Sequence, residues 1–125
     1  MAQVIDFSGI KKGAVHPTDI DAVLEFDNKF LVLIEVKTKG NELTTGQRLV
    51  LERMVNSWKS NDKKAIALFV SHNITDSSES VMLDKCDVEK YYTGNGWKDT
   101  KSLLNVKQFL SSLANTWNIE KLKGI

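Results

Sequence analysis

At 125 residues the chain is the length of one domain, large enough to bury about two-thirds of its unfolded surface without disulfide or metal staples. A hydrophobic fraction of 42% and a charged fraction of 26% exclude intrinsic disorder, and a net charge of +1 leaves any polyanion partner to local clusters of Lys and Arg. The one cysteine, Cys86, excludes an intrachain disulfide and a cysteine-rich zinc site, and no stretch has the apolar length of a membrane span or signal segment, so a cytoplasmic protein off the membrane is expected.

In chain order, Val4 to Phe7 reads as an edge strand or β-arm closed by Ser8-Gly9. Lys11 and Lys12 follow, then His16, which Pro17 biases toward an extended backbone. His16 is a peripheral candidate for a phosphate contact or a base, set against the ordinary structural role of a lone histidine.

Two runs rich in β-branched and aromatic residues come next, Ile20 to Phe26 and Phe30 to Val36, separated by Asp27-Asn28-Lys29. They are predicted to pair antiparallel with Phe26 opposite Phe30, which sets Asp21 opposite Glu35 and Asp19 opposite Lys37. One face is then apolar throughout: Ile20, Ala22, Leu24 and Phe26 against Phe30, Val32, Ile34 and Val36. Shifting the register by one residue would mix the two faces, so the hydrophobic pattern selects this pairing. The loop wants a left-handed residue, which Asn28 tolerates better than Lys29.

Directly opposed residues of such a pair have Cβ atoms roughly 4.5–5.5 Å apart, so Asp21 and Glu35 repel. Relief can come from protonation of one carboxyl, from a cation, or from a bound metal ion. Lys37, two residues past Glu35, lies on the same face. Two carboxylates with room for water suit Mg²⁺, and a lysine beside them can orient water or stabilise charge developing on a phosphoryl group. The bland alternative is a solvated ion pair on an exposed sheet face, worth at most about 1 kcal/mol.

Thr38 to Leu43 reads as a loop, and Thr44 with Gln47 has capping-box spacing ahead of a helix predicted from Thr45 to Lys59, buried through Leu49, Val50, Val55 and Trp58. Gln47 and Arg48 fall in its first turn, near the strand end that carries Lys37. There Gln47 either completes the capping box or reaches a phosphate or bound water. Ala65 to Val70 is a buried strand, parallel to the hairpin strand because a helix intervenes. Val81 to Leu83 and Val88 to Tyr92 are short strands, and Thr93 to Gly96 a turn before Trp97. Tyr91, Tyr92 and Trp97 pack across the turn or stack on unpaired bases. Lys101 to Asn118 forms an amphipathic helix through Leu104, Phe109, Leu110, Leu113 and Trp117, and Glu120 to Ile125 is a frayed tail. His72, just past the buried strand, reads as an ordinary loop histidine.

The stretch TDIDAVLE, a turn, FLVLIEVK and the helix opening TTGQRLVLERM resembles the PD-(D/E)xK nuclease superfamily, particularly its small resolvase-like and phage-type members, over roughly residues 16 to 71. The resemblance implies a single α/β domain with a central mixed sheet flanked by helices, on an αβββαβ core. It further implies an Mg²⁺-dependent DNA endonuclease or exonuclease, in which Mn²⁺ would substitute and no nucleotide cofactor takes part. Asp21 and Glu35 would be metal ligands, Lys37 the catalytic lysine and Gln47 an accessory group. Because Pro17 precedes Thr18 rather than an aspartate, Asp19 and Asp21 both compete for the aspartate position, with Asp21 favoured by facing Glu35. Lys12, Lys39 and Arg48 are the candidate DNA contacts. Cutting two strands would call for two sites, hence a homodimer. The alternatives are an inactive nuclease-fold protein that binds DNA or regulates a partner, and a phage-encoded module that acts on a host protein.

Overall fold

The computed structural model describes residue 6, residues 8–10 and residues 18–125. The stretch Val4 to Phe7, Lys11, Lys12 and His16 therefore lie, wholly or in large part, outside the described residues. The hairpin forms as β1 (Ala22–Phe26) and β2 (Phe30–Thr38), with Phe26 opposite Phe30 and Ala22 opposite Ile34. Its turn places both Asp27 (φ 56°) and Asn28 (φ 58°) in the left-handed region, residues whose short polar side chains tolerate it. The Lys29 N–H closes the turn on the Phe26 carbonyl at 2.9 Å, leaving Lys29 with an ordinary backbone.

Helix α1 (Thr45–Trp58) follows and returns the chain to β3 (Lys64–His72), which pairs parallel to β2 along its whole length. Then come β4 (Asp87–Tyr92), β5 (Trp97–Asp99) and α2 (Val106–Thr116). The sheet order is β1-β2-β3-β4-β5, antiparallel except at β2/β3. The chain is an α/β domain with a central mixed sheet flanked by helices, and β1 to β3 supply the ββαβ portion of the expected core.

Alternation along β2 sorts its residues to two sides. Val32 and Ile34 join Ile66, Leu68, Val70 and Val88 under α2, while Leu31 and Leu33 join Ala65, Ala67 and Tyr92 under α1. Helix α1 contributes Leu51 and Val55 as its buried residues; the expected Leu49, Val50 and Trp58 are only half-buried, because β3 lies under the Leu51–Val55 line. Central strands covered on both faces read as unbroken apolar runs, as β3 does.

Five expectations are corrected. Ile20 does not share the face of Ala22: β1 starts at Ala22, the chain bends at Asp21, and Ile20 packs on the α1 side. For the same reason no ladder sets Asp19 opposite Lys37. Leu83–Lys85 is a 3₁₀ turn where a strand was expected from Val81. Helix α2 starts at Val106, not Lys101, since Lys101 and Ser102 have φ of 56° and 54° and the Asn105–Gln108 capping box sets the first turn. The tail does not fray. Asn118 (φ 56°) ends α2, the Ile119 N–H reaches back to the Ala114 carbonyl at 2.9 Å, and Ile119 and Leu122 are buried in the α2-side core.

Candidate active site

On the α1 side, β2 presents Leu31, Leu33, Glu35 and Lys37 in turn. Helix α1 covers the first two; its N-cap, Thr44, lies past the end of β2, so the charged pair falls where the helix begins. Glu35 is nevertheless buried, at 6% exposure, and Lys37 is half-buried. The β1/β2 ladder ends at Ala22–Ile34, and continuing it by one residue brings Asp21 against Glu35. The Val36 N–H donates to Asp21 Oδ2 at 2.7 Å, which anchors the aspartate at that point.

Asp21 lies against Glu35, and the Glu35 carboxyl is pushed up from an ordinary 4.5 to about 7. Burial is the largest cause, followed by the hydrogen bond to Asp21 and the Asp21 charge; Asp19 adds a smaller upward push and Lys37 a downward one. Near neutrality Glu35 therefore carries a proton part of the time, and one lysine does not offset the upward push fully. Asp19 acts through its field at Glu35.

The other candidates are held in different ways. Gln47 completes the capping box, its side-chain oxygen accepting from the Thr44 N–H at 3.1 Å while Thr44 Oγ1 accepts from the Gln47 N–H at 3.1 Å. Arg48 pairs with Glu52 at 2.7 Å, and Glu52 also accepts from the Trp97 indole at 2.8 Å. Lys39 pairs with Asp87 at 3.1 Å, both side chains remaining largely open to solvent. His72 is not in a loop as expected but is the last residue of β3, opposite Thr38, and its Nδ1 accepts from the Ile74 N–H. The aromatic residues pack internally, Tyr92 on Trp97 and Tyr91 on Phe109, each at 5.5 Å between ring centroids.

Sequence reasoning missed Ser71 and Asp87. In the β2/β3 ladder Ser71 lies opposite Lys37, and in the β3/β4 ladder it lies opposite Asp87. A bulge makes this so: Phe69 faces Lys90 but Val70 faces Val88, so Glu89 is the extra residue. Without it Val88 would oppose Ser71; with it Val88 enters the α2-side core and Asp87 takes the polar position. Ser71 is 1% exposed, and its hydroxyl has no hydrogen-bond partner among the described residues. The available signal was a serine continuing the apolar run AIALFV, legible only once the register to Lys37 is known.

Among the described residues no group of three or more His, Cys, Asp and Glu side chains is arranged to hold a metal ion. The site offers two touching carboxylates whose repulsion is incompletely relieved, a donor set that fits Mg²⁺ held by one or two carboxylates with water and substrate oxygens completing the shell. No helix among the described residues is long and apolar enough to cross a membrane. The fold and site thus define an α/β domain with a buried glutamate, an exposed aspartate against it and a lysine at one end of its parallel strands. The chain matches no protein-family model, no curated protein and no solved structure.

Proposed function

We propose that the chain is a metal-dependent DNA endonuclease that hydrolyses phosphodiester bonds at Asp21, Glu35 and Lys37. The observation that carries this reading is the buried Glu35 carboxyl against Asp21 with Lys37 beside it, an arrangement costly to a fold unless a cation or reacting group uses it. Asp21 and Glu35 would hold Mg²⁺, or Mn²⁺ in its place. When bound, the ion supplies Lewis-acid stabilisation of phosphate charge and a more acidic water. The backbone of Val36 holds Asp21 in place, and burial keeps bulk water from Glu35. Lys37 places its positive charge on the same face, where it orients the attacking water or stabilises charge on the phosphoryl oxygens. Gln47 has its oxygen committed to the helix cap, which leaves its amide N–H groups for an accessory contact. Lys39 and Arg48 reach DNA by exchanging Asp87 and Glu52 for phosphate. A homodimer working in the cytoplasm would present two such sites.

The test is incubation of the protein with supercoiled, linear, single-stranded and four-way-junction DNA, with Mg²⁺, Mn²⁺ or EDTA, beside Lys37→Ala and Glu35→Ala. Metal-dependent cutting lost in both variants is expected, and a preference for the junction would establish the branched-DNA selectivity that the resemblance to resolvase-like proteins implies. Equal inactivity of folded wild type and variants on every DNA would sink the reading. The engagement of one Asp21 oxygen by the Val36 N–H favours, as second reading, an inactive DNA-binding or regulatory protein of the same fold, which metal would stabilise without any cutting.

A further inference from the structure

At the other end of the sheet, on the α2 side, a cavity of about 260 Å³ opens between β3, β4 and α2. Three aromatic residues wall it. Tyr91 and Phe109 meet at 5.5 Å with rings tilted by 55°, and Trp117 is steadied by stacking on Phe30 at 6.1 Å. Thr93, Ser112 and Thr116 add aliphatic hydroxyls to the lining, and among the described residues no carboxylate shares it. The volume falls just below the range of about 300–1,000 Å³ usual for drug-sized ligands, so the space suits one flat ring system.

Cations stand at its rim. Lys64 Nζ lies 5.9 Å from the centroid of the Trp117 ring, and Lys59 Nζ donates to the Thr93 carbonyl at 2.6 Å. The positive track continues past the cavity. Lys63, the residue before Lys64, places its ammonium 4.7 Å from the centroid of the Trp58 ring, and Lys29 adjoins Lys64 through its carbonyl, which accepts the Lys64 N–H at 2.8 Å. Two lysine-capped indoles thus sit at one sheet end, one on the α2 side and one on the α1 side. Phe30 is seven residues from Lys37 along β2, about 23 Å at the usual strand rise, so this end stands apart from the carboxylate pair.

Aromatic walls, hydroxyls at the edges and lysines at the rim match a base carrying a phosphate; the track beyond the cavity matches further phosphates. We propose that this cavity takes one base of a single-stranded nucleic acid, with Lys64 and Lys59 at its phosphates and the strand continuing along Lys63 and Lys29. This does not rest on the nuclease reading.

The test is titration in EDTA with a short oligothymidylate, thymidine monophosphate or polyglutamate, read by the Trp117 indole N–H resonance and by tryptophan fluorescence. Ser112→Trp, at an exposed position of α2, fills the cavity, and Lys64→Ala removes one rim cation. The oligonucleotide is expected to shift the Trp117 signal, and Ser112→Trp to weaken binding tenfold or more. Lys64→Ala should flatten the slope of log affinity against log salt by about 0.7, the value for one phosphate contact on a single strand. Lys37→Ala should bind like wild type, which separates this site from the proposed cleavage site. An unmoved Trp117 signal, unchanged binding in both cavity variants, equal affinity for the mononucleotide, or the same shift with polyglutamate would each overturn the proposal.

Discussion

The two ends of the parallel strand pair are built on opposite principles. Where β2 and β3 finish, Asp21 and Glu35 are pressed together with Ser71, unpartnered among the described residues, nearby, and the local electrostatics work against folding. Where they begin, Phe30 stacks on Trp117, and Lys63 and Lys64 cap two indoles, contacts that favour folding modestly. The same two strands run through both, so the buried middle, Leu33, Ile34, Ala67 and Leu68, carries the strain of one end. A site whose repulsion is tolerated rather than designed out is a candidate for function; an end that is satisfied can bind only by exchanging partners.

The largest effect that would test this contrast is Glu35→Gln. A Glu35 carboxyl raised from 4.5 to about 7 makes the folded state the stronger proton binder, so its contribution to stability is complete below about 4.5 and is lost as pH rises through about 7. The loss amounts to about 3 kcal/mol at most. Denaturant titrations should therefore find Glu35→Gln more stable than wild type at pH 8 and nearly equal to it at pH 4. A pH-independent difference would show that the carboxylates are not in conflict.

Next in size is metal. A ligand that binds only the folded state adds about 2.7 kcal/mol at a hundred times its Kd. Saturating Mg²⁺ should raise the melting temperature of wild type at pH 8, whereas Glu35→Gln should gain little. An equal rise in both would place the ion elsewhere.

Ser71→Ala sharpens the comparison at smaller scale. A buried hydroxyl without a partner costs about 1–3 kcal/mol, so its removal should be neutral or stabilising. Clear destabilisation would instead reveal a buried water or ligand bound between Lys37 and Asp87. The smallest effect belongs to the satisfied end: Lys64→Ala should cost about 0.5–1 kcal/mol, read as a small drop in urea midpoint without a change in m-value.

Much of the first half was legible because its signals are local. Alternation between Ile20 and Val36 admits one register without mixing faces, and the structure has Phe26 opposite Phe30. Thr44 and Gln47 announce a helix start by spacing alone, and both capping hydrogen bonds are present. The second half was read less well. Its apolar residues are compatible with several boundaries, and the left-handed backbone at Lys101 and Ser102 has no counterpart in their side-chain chemistry. The tail looked polar between Glu120 and Lys123, yet Leu122 alone is enough to anchor it once Ile119 has turned inward.

By itself, then, the sequence determined the hairpin pairing, the sharing of a face by Glu35 and Lys37, and the caps of α1, because hydrogen bonds and side-chain parity between near neighbours decide each of them. Only the tertiary structure decided how deeply Glu35 is buried, that Ser71 stands between Lys37 and Asp87, and that Tyr91, Phe109 and Trp117 leave a cavity. Those depend on the β2/β3 register, on the Glu89 bulge and on the seating of α2 against the sheet. Each is settled by packing between residues far apart in the chain, and no local pattern encodes it.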